Sequence, residues 1–172
     1  MKLSTKPATT IKSVIAVAAL AISTTAISAE RLNVKLSGAF HAVTESLIST
    51  GERQSAFVYS VKGATTLTTN SGKQWKFSID CLGFDEVGGH AGTSGVGRCS
   101  WADSDNDRLM IELVTEGESN RYRVTGGTGK WQGVSGSFKS NFEYLPAPSE
   151  DVFLGTDEGK GFLNLPSSVS MR

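Results

Sequence analysis

The stretch whose residue types most invite chemistry is "VTGGTGKWQGVSGSF", Val124 to Phe138, a glycine-rich run around a single lysine that reads at first as a phosphate cradle. A loop of the G-x-x-x-x-G-K-[ST] kind needs a glycine five positions before its Gly-Lys pair and a hydroxyl after the lysine to hold magnesium. Gly129 and Lys130 have Val124 at the first of these places and Trp131 at the last, so both requirements fail. The dinucleotide pattern G-x-G-x-x-G fails as well, because Gln132 stands where its third glycine belongs. What remains is a mechanical role. Gly126, Gly127, Gly129, Gly133 and Gly136 are expected to supply positive φ and close backbone approach where one strand hands over to the next, with Trp131 capping the end of the structure.

Other chemistry-bearing residues give weaker signals. "DSDND" sets Asp103, Asp105 and Asp107 at alternate positions, an invitation to calcium. An EF-hand loop wants glycine sixth and glutamate twelfth, and Arg108 and Val114 stand there instead, so a solvated hairpin turn is expected, with Asp103, Asp105 and Asp107 as weak ligands of calcium in another loop type the alternative. His41 and His90 are the only histidines, too few for a zinc site, and no G-x-S-x-G elbow announces a serine nucleophile. His90 lies in the loop-like "GFDEVGGHAGTSG", where gating of a ligand is its one candidate role. No cofactor motif is present, and catalytic residues stay unassigned.

Cys81 and Cys99 are the only cysteines. Without C-x-x-C spacing or a nearby histidine pair, they are expected to form a disulfide, provided the chain reaches an oxidising compartment. The N-terminus predicts that it does. Lys2, Lys6 and Lys12 precede an uncharged, mostly apolar run from Val14 to Ile22, followed by the small residues of "STTAISAE". This is the layout of a cleavable signal peptide covering residues 1–29, too short and too rich in Ala, Ser and Thr for a retained membrane helix. Export to the periplasm or the medium follows, with no transmembrane segment in the mature chain. The leader takes three of the 17 basic residues and none of the 17 acidic ones, leaving a net charge of −3. Nucleic-acid binding, which asks for basic patches, is not expected.

The elements that must position these residues are strands throughout. "LNVKLSGAF" alternates Leu32, Val34 and Leu36 with polar neighbours, and "QWKFSIDC" puts Trp75, Phe77, Ile79 and Cys81 on one face. "GRCSW" aligns Cys99 with Trp101, "RLMIELVT" aligns Leu109, Ile111 and Leu113, and "SGSFKSNFEYLP" aligns Phe138 with Phe142 and Tyr144. The polar turns between these runs are short, as in a meander. One apolar parity must be buried, and closing the sheet on itself removes its edges, so the fold class is all-β, a single antiparallel closed barrel of about eight strands. The barrel domain is read as residues 30–148. The tail 149–172 fits either a final strand or a covering extension. Asp80 and Glu112 sit on strands at the parity opposite the apolar face, which turns both to solvent; interior carboxylates are the alternative.

With this frame in place, "VTGGTGKWQGVSGSF" resembles the G-G-T-G-[KR]-[aromatic]-x-G-[AV]-x-G stretch of the allene oxide cyclase-like and dirigent-like barrels. The resemblance covers about 15 residues. It implies an eight-stranded antiparallel barrel with an apolar cavity, association into homo-oligomers, and, in the enzymatic members, a cavity that steers a reactive intermediate. Trp75, Phe77, Ile79, Trp101, Ile111, Tyr122 and Phe138 are the candidate lining residues, either around a small hydrophobic ligand or packed into a solid core. Three functions fit: an exported barrel that binds a small hydrophobic molecule or a partner, a cyclase-like or isomerase-like enzyme, and a structural interaction protein with a filled interior.

Overall fold

The computed structural model of the chain describes residues 30–88 and 92–166. The expected signal peptide, His90 and the end of the tail lie outside these residues. Eight strands follow one another: β1 (Glu30–Gly51), β2 (Gln54–Thr69), β3 (Gln74–Gly88), β4 (Thr93–Ala102), β5 (Arg108–Glu116), β6 (Ser119–Gly127), β7 (Ser135–Leu145) and β8 (Val152–Leu165). Each is antiparallel to the next and β8 returns to β1, so the sheet is a closed barrel in simple up-and-down order. Of the two alternatives for the tail, the final strand is the one observed. β8 bridges β7 and β1, with Gly161 opposite both Phe138 and Val34, and the barrel therefore extends to Leu165.

Alternation decides what points inward. Phe77, Cys81 and Asp85 on β3 and Cys99 and Trp101 on β4 are buried, whereas Lys76, Asp80, Leu82 and Arg98 face outward. Cys81 and Cys99 are direct partners in the β3–β4 register, and a disulfide joins them. Asp80 and Glu112 are on the outer surface. Asp80 pairs with Lys62 on β2, and Glu112 is held between Arg98 and Arg123 on the strands to either side. Like-parity neighbours of opposite charge make this arrangement self-consistent.

The interior is divided along the barrel axis. One end is solid, packed with Leu67, Phe77, Leu109, Phe138, Leu163 and Trp131, each no more than 2% exposed. Trp131 comes from a single 3₁₀ turn, Gly129–Trp131, between β6 and β7, and its ring meets Phe77 at 5.3 Å and Trp75 at 5.6 Å between centroids. A side chain of this size, taken fully out of water, contributes on the order of 2–3 kcal/mol of transfer free energy.

The glycine run is thus the barrel's end plug, and its glycines differ in role. Gly129 (φ 51°) and Gly133 (φ 78°) hold left-handed backbone on either side of Trp131. Gly127 and Gly136 have ordinary φ but lie so close to the backbone of Trp131 and Phe162 that a Cβ would collide. Gly126 departs from the expectation: it needs neither positive φ nor space, since nothing approaches within 4 Å of where its Cβ would be.

The aspartates of the β4–β5 turn lock the plug in place. Asp103 accepts backbone N–H bonds from Asp105 (2.8 Å) and Asp107 (3.1 Å) on one carboxylate oxygen, and the Trp131 indole N–H (2.7 Å) on the other. Lys130 Nζ lies 2.8 Å from Asp103 and 2.6 Å from Asp105, and the Lys130 backbone N–H donates to Asp107. The three carboxylates raised as weak metal ligands are therefore engaged by the chain's own lysine, indole and amides. Burial pushes the Asp103 carboxyl upward, but hydrogen bonds from Lys130, Trp131 and the Asp105 amide outweigh it and hold the pKa below the usual value.

Candidate functional site

The opposite end of the barrel is hollow. A cavity of about 90 Å³ opens there, between Ala42 and Phe40 of β1, Tyr59 of β2, Ile79 of β3, Trp101 of β4, Tyr122 of β6 and Phe153 of β8. Small inward residues make the space: Gly38 and Ala42 on β1, Cys81 on β3 and Thr115 on β5 occupy positions that carry Leu, Phe or Trp nearer the plug. At the mouth, β1 outruns its partner β8. Pairing with β8 ends at Val43, whereas pairing with β2 continues to Gly51, so the β1–β2 hairpin stands above the rim.

Of the seven expected lining residues, Ile79, Trp101 and Tyr122 border the cavity. Trp75, Phe77, Ile111 and Phe138 belong to the solid end, where Phe77, Ile111 and Phe138 are almost wholly buried against the Trp131 plug and its neighbours. They share the inward parity of the lining residues but lie further along the strands, and alternation says which face a side chain takes, not how deep it sits. Five aromatic residues at the cavity were not among the expected lining residues: Phe40, Phe57 and Phe153, and Phe142 and Tyr144, which alternation had already aligned with Phe138. They form one connected set, Phe57 stacking on Phe153 at 6.2 Å and Tyr144 touching Phe40, Phe142 and Phe153.

The polar chemistry of the cavity is carried by two tyrosine–aspartate pairs. Tyr59 Oη donates to Asp85 Oδ1 at 3.1 Å, and Tyr122 Oη donates to Asp157 Oδ2 at 2.7 Å. Asp85 is 7% and Asp157 8% exposed, burial unusual for carboxylates. Glycines make room for the first pair: the Tyr59 ring lies across Gly83, and a Cβ on Gly95 would run into the Asp85 carboxylate. Asn120 donates to Tyr122 Oη and accepts from Thr115, extending the second pair around the wall.

Burial raises both carboxyl pKa values above the ordinary one. The Tyr59 hydrogen bond only partly offsets this for Asp85, and the nearby Ser140 and Tyr122 hydroxyls only partly for Asp157. The tyrosines rise too, through burial first and the adjacent carboxylate second. Among the described residues that line the cavity there is no Lys, Arg or His to compensate either acid. Asp157 Oδ1, the Ser140 hydroxyl near it and the Trp101 indole N–H are buried without a hydrogen-bond partner of acceptable geometry.

Both acids were within reach of the sequence. Trp75, Phe77, Ile79 and Cys81 set an odd-numbered inward parity that leads through Gly83 to Asp85, and Leu163 sets one that leads back to Asp157. In each case glycines at inward positions interrupt the apolar pattern before the acid is reached.

Comparison with known proteins adds the following. No family model matches the chain, and no curated protein does. Among solved structures, it is similar to the pterocarpan synthase dirigent protein GePTS1, at 13% identity and a TM-score of 0.49, over 80% of this chain and 88% of that one. It is also similar to the pterocarpan synthase dirigent protein PsPTS1, at 15% identity and a TM-score of 0.46, over 78% of this chain and 96% of the other. Both are dirigent proteins, the group that the glycine run of Val124 to Phe138 resembles. Membership of the barrel class rests on the strand pairing itself, which closes without reference to either neighbour. No helix among the described residues is long and apolar enough to cross a membrane.

Proposed function

We propose that this barrel binds a small, mainly apolar molecule carrying a polar group in the cavity opposite the Trp131 plug. The observation that carries this reading is the contrast between the barrel's two ends: one is packed solid, while the other keeps a cavity of about 90 Å³ ringed by aromatic side chains and two buried carboxyl groups. Concave, mostly apolar pockets with a few convergent polar groups are the usual form of a small-molecule site. The Cys81–Cys99 disulfide supports export to an oxidising compartment, in keeping with the leader read from the sequence.

Titration with benzyl alcohol, a neutral aromatic probe, followed by calorimetry, tests the binding reading. Saturable binding that Ala42→Phe abolishes, with the fold retained by circular dichroism, is the expected result. Ala42 is 6% exposed and borders the cavity, so a larger side chain there fills it. Failure of every small aromatic probe to bind would overturn the reading.

A second reading, an isomerase or cyclase, is favoured by the same two acids. A carboxyl group with a raised pKa beside a tyrosine is suited to giving or taking a proton from a bound substrate. The residues to test are Asp85 and Asp157, not Asp80 and Glu112, which lie outside the barrel. Turnover of cyclisable epoxides that is lost in Asp85→Asn or Asp157→Asn supports catalysis; a wild type inert across such a panel removes it.

A further inference from the structure

The cavity is unbalanced in charge. Two carboxyl groups, each more than nine-tenths buried, line it, and no cationic side chain does among the described residues. Tyr59 and Tyr122 satisfy one oxygen of each acid, and Asp157 Oδ1 has only the Ser140 hydroxyl nearby, outside good hydrogen-bond geometry. An ionised carboxylate held in such a place is costly unless a positive charge joins it.

Three further features favour a positive guest. The aromatic set Phe40, Phe57, Phe142, Tyr144 and Phe153 lines the outer part of the cavity, and ring faces attract cations, especially desolvated ones. Tyr144 and Asp85 both border the cavity, so ring and carboxyl act on the same space. The rim around the mouth is acidic on balance: among the described residues, Glu45, Glu52, Glu86, Glu116, Glu118, Glu143, Glu150 and Asp151 are exposed at this end, against His41, Arg53, Arg121 and Lys139, with Lys62 paired to Asp80. Arg121 is itself paired with Glu116. A mouth lined by one sign of charge concentrates ligands of the other.

We propose that the cavity selects organic cations, protonated amines or quaternary ammonium groups on a small aromatic or aliphatic body, with the positive group seated between Asp85 and Asp157 and the apolar body against the aromatic wall. This rests on the binding reading above and names the ligand class for it. A positive charge seated between the two carboxyl groups favours their ionised form. The guest thus fulfils the role that a lysine or arginine would otherwise take.

The test compares three probes of one shape at neutral pH: benzylammonium, benzyl alcohol and benzoate, each titrated calorimetrically against the wild-type protein. The expected order is benzylammonium tightest, by about tenfold or more over benzyl alcohol, and benzoate weakest. Asp157→Asn and Asp85→Asn should each narrow the benzylammonium-to-benzyl alcohol ratio, and either variant that keeps the wild-type circular dichroism suffices. Equal or tighter binding of benzyl alcohol overturns the cation assignment while leaving the cavity-binding reading in place. Binding of none of the three overturns both. A cation preference that survives unchanged in a folded aspartate variant places the cation elsewhere and also overturns the proposal.

Discussion

The Trp131 indole N–H donates to Asp103 across 2.7 Å, joining the plug between β6 and β7 to the turn between β4 and β5. The same carboxylate oxygen receives Lys130 at 2.8 Å. These contacts convert a glycine loop into a fixed stopper. Asp103→Ala should therefore destabilise the protein by about 1–3 kcal/mol, because it leaves a buried indole N–H unpaired. Urea denaturation measures this, and a change within a few tenths of a kcal/mol would count against the lock.

The glycines around the plug should separate by mechanism. Gly127→Ala places a Cβ against the Trp131 backbone, and Gly129→Ala puts a side chain at φ 51° against Asp107, whereas Gly126→Ala meets open space. Thermal melts should show the first two destabilised by roughly 1 kcal/mol or more and Gly126→Ala close to wild type. Equal effects at all three positions would contradict the assignment.

Removing the covalent link is a third test. Cys81 and Cys99 close an 18-residue separation across β3 and β4. The double replacement Cys81→Ser with Cys99→Ser should lower stability by about 3 kcal/mol on the chain-entropy argument, to which two buried hydroxyls add a further cost. Denaturation of the variant beside oxidised wild type gives the difference.

The legible part of the sequence was the alternation. Trp75 to Cys81 and Leu109 to Leu113 announce strands with one buried face, and the short polar turns announce a meander, so the closed barrel followed from local pattern. The hollow end was harder to see because it is defined by small residues. Gly38, Ala42 and Thr115 create the cavity by what they lack, and Gly83 and Gly95 admit Tyr59 and Asp85. Whether the space between strands that are neighbours only in the closed barrel is full or empty depends on depth along the axis. That is set by strand stagger, which no single strand's pattern contains.

Acid and base should act on the two ends with opposite sign. Asp85 and Asp157 have folded pKa values above the ordinary 3.8, so the folded state binds more protons than the unfolded one. Their contribution is full below the unfolded pKa and is lost as pH rises through the raised folded values. Asp103 lies below 3.8 when folded; its contribution is present above that value and is lost as pH falls through the depressed one. Urea denaturation across a pH series should show Asp157→Asn gaining on wild type as pH rises above about 4, and Asp103→Asn losing its deficit as pH falls below it. The reverse trends would contradict the burial argument.

The central claim is that one end of the barrel is solid and the other receives a ligand. Two-dimensional NMR of the protein titrated with benzylammonium tests it most directly. Shifts are expected on Tyr59, Ile79, Trp101, Phe142 and Phe153, with Leu67, Leu163 and the Trp131 indole unmoved. Shifts centred on the Trp131 end, or none anywhere at saturating probe, would contradict it.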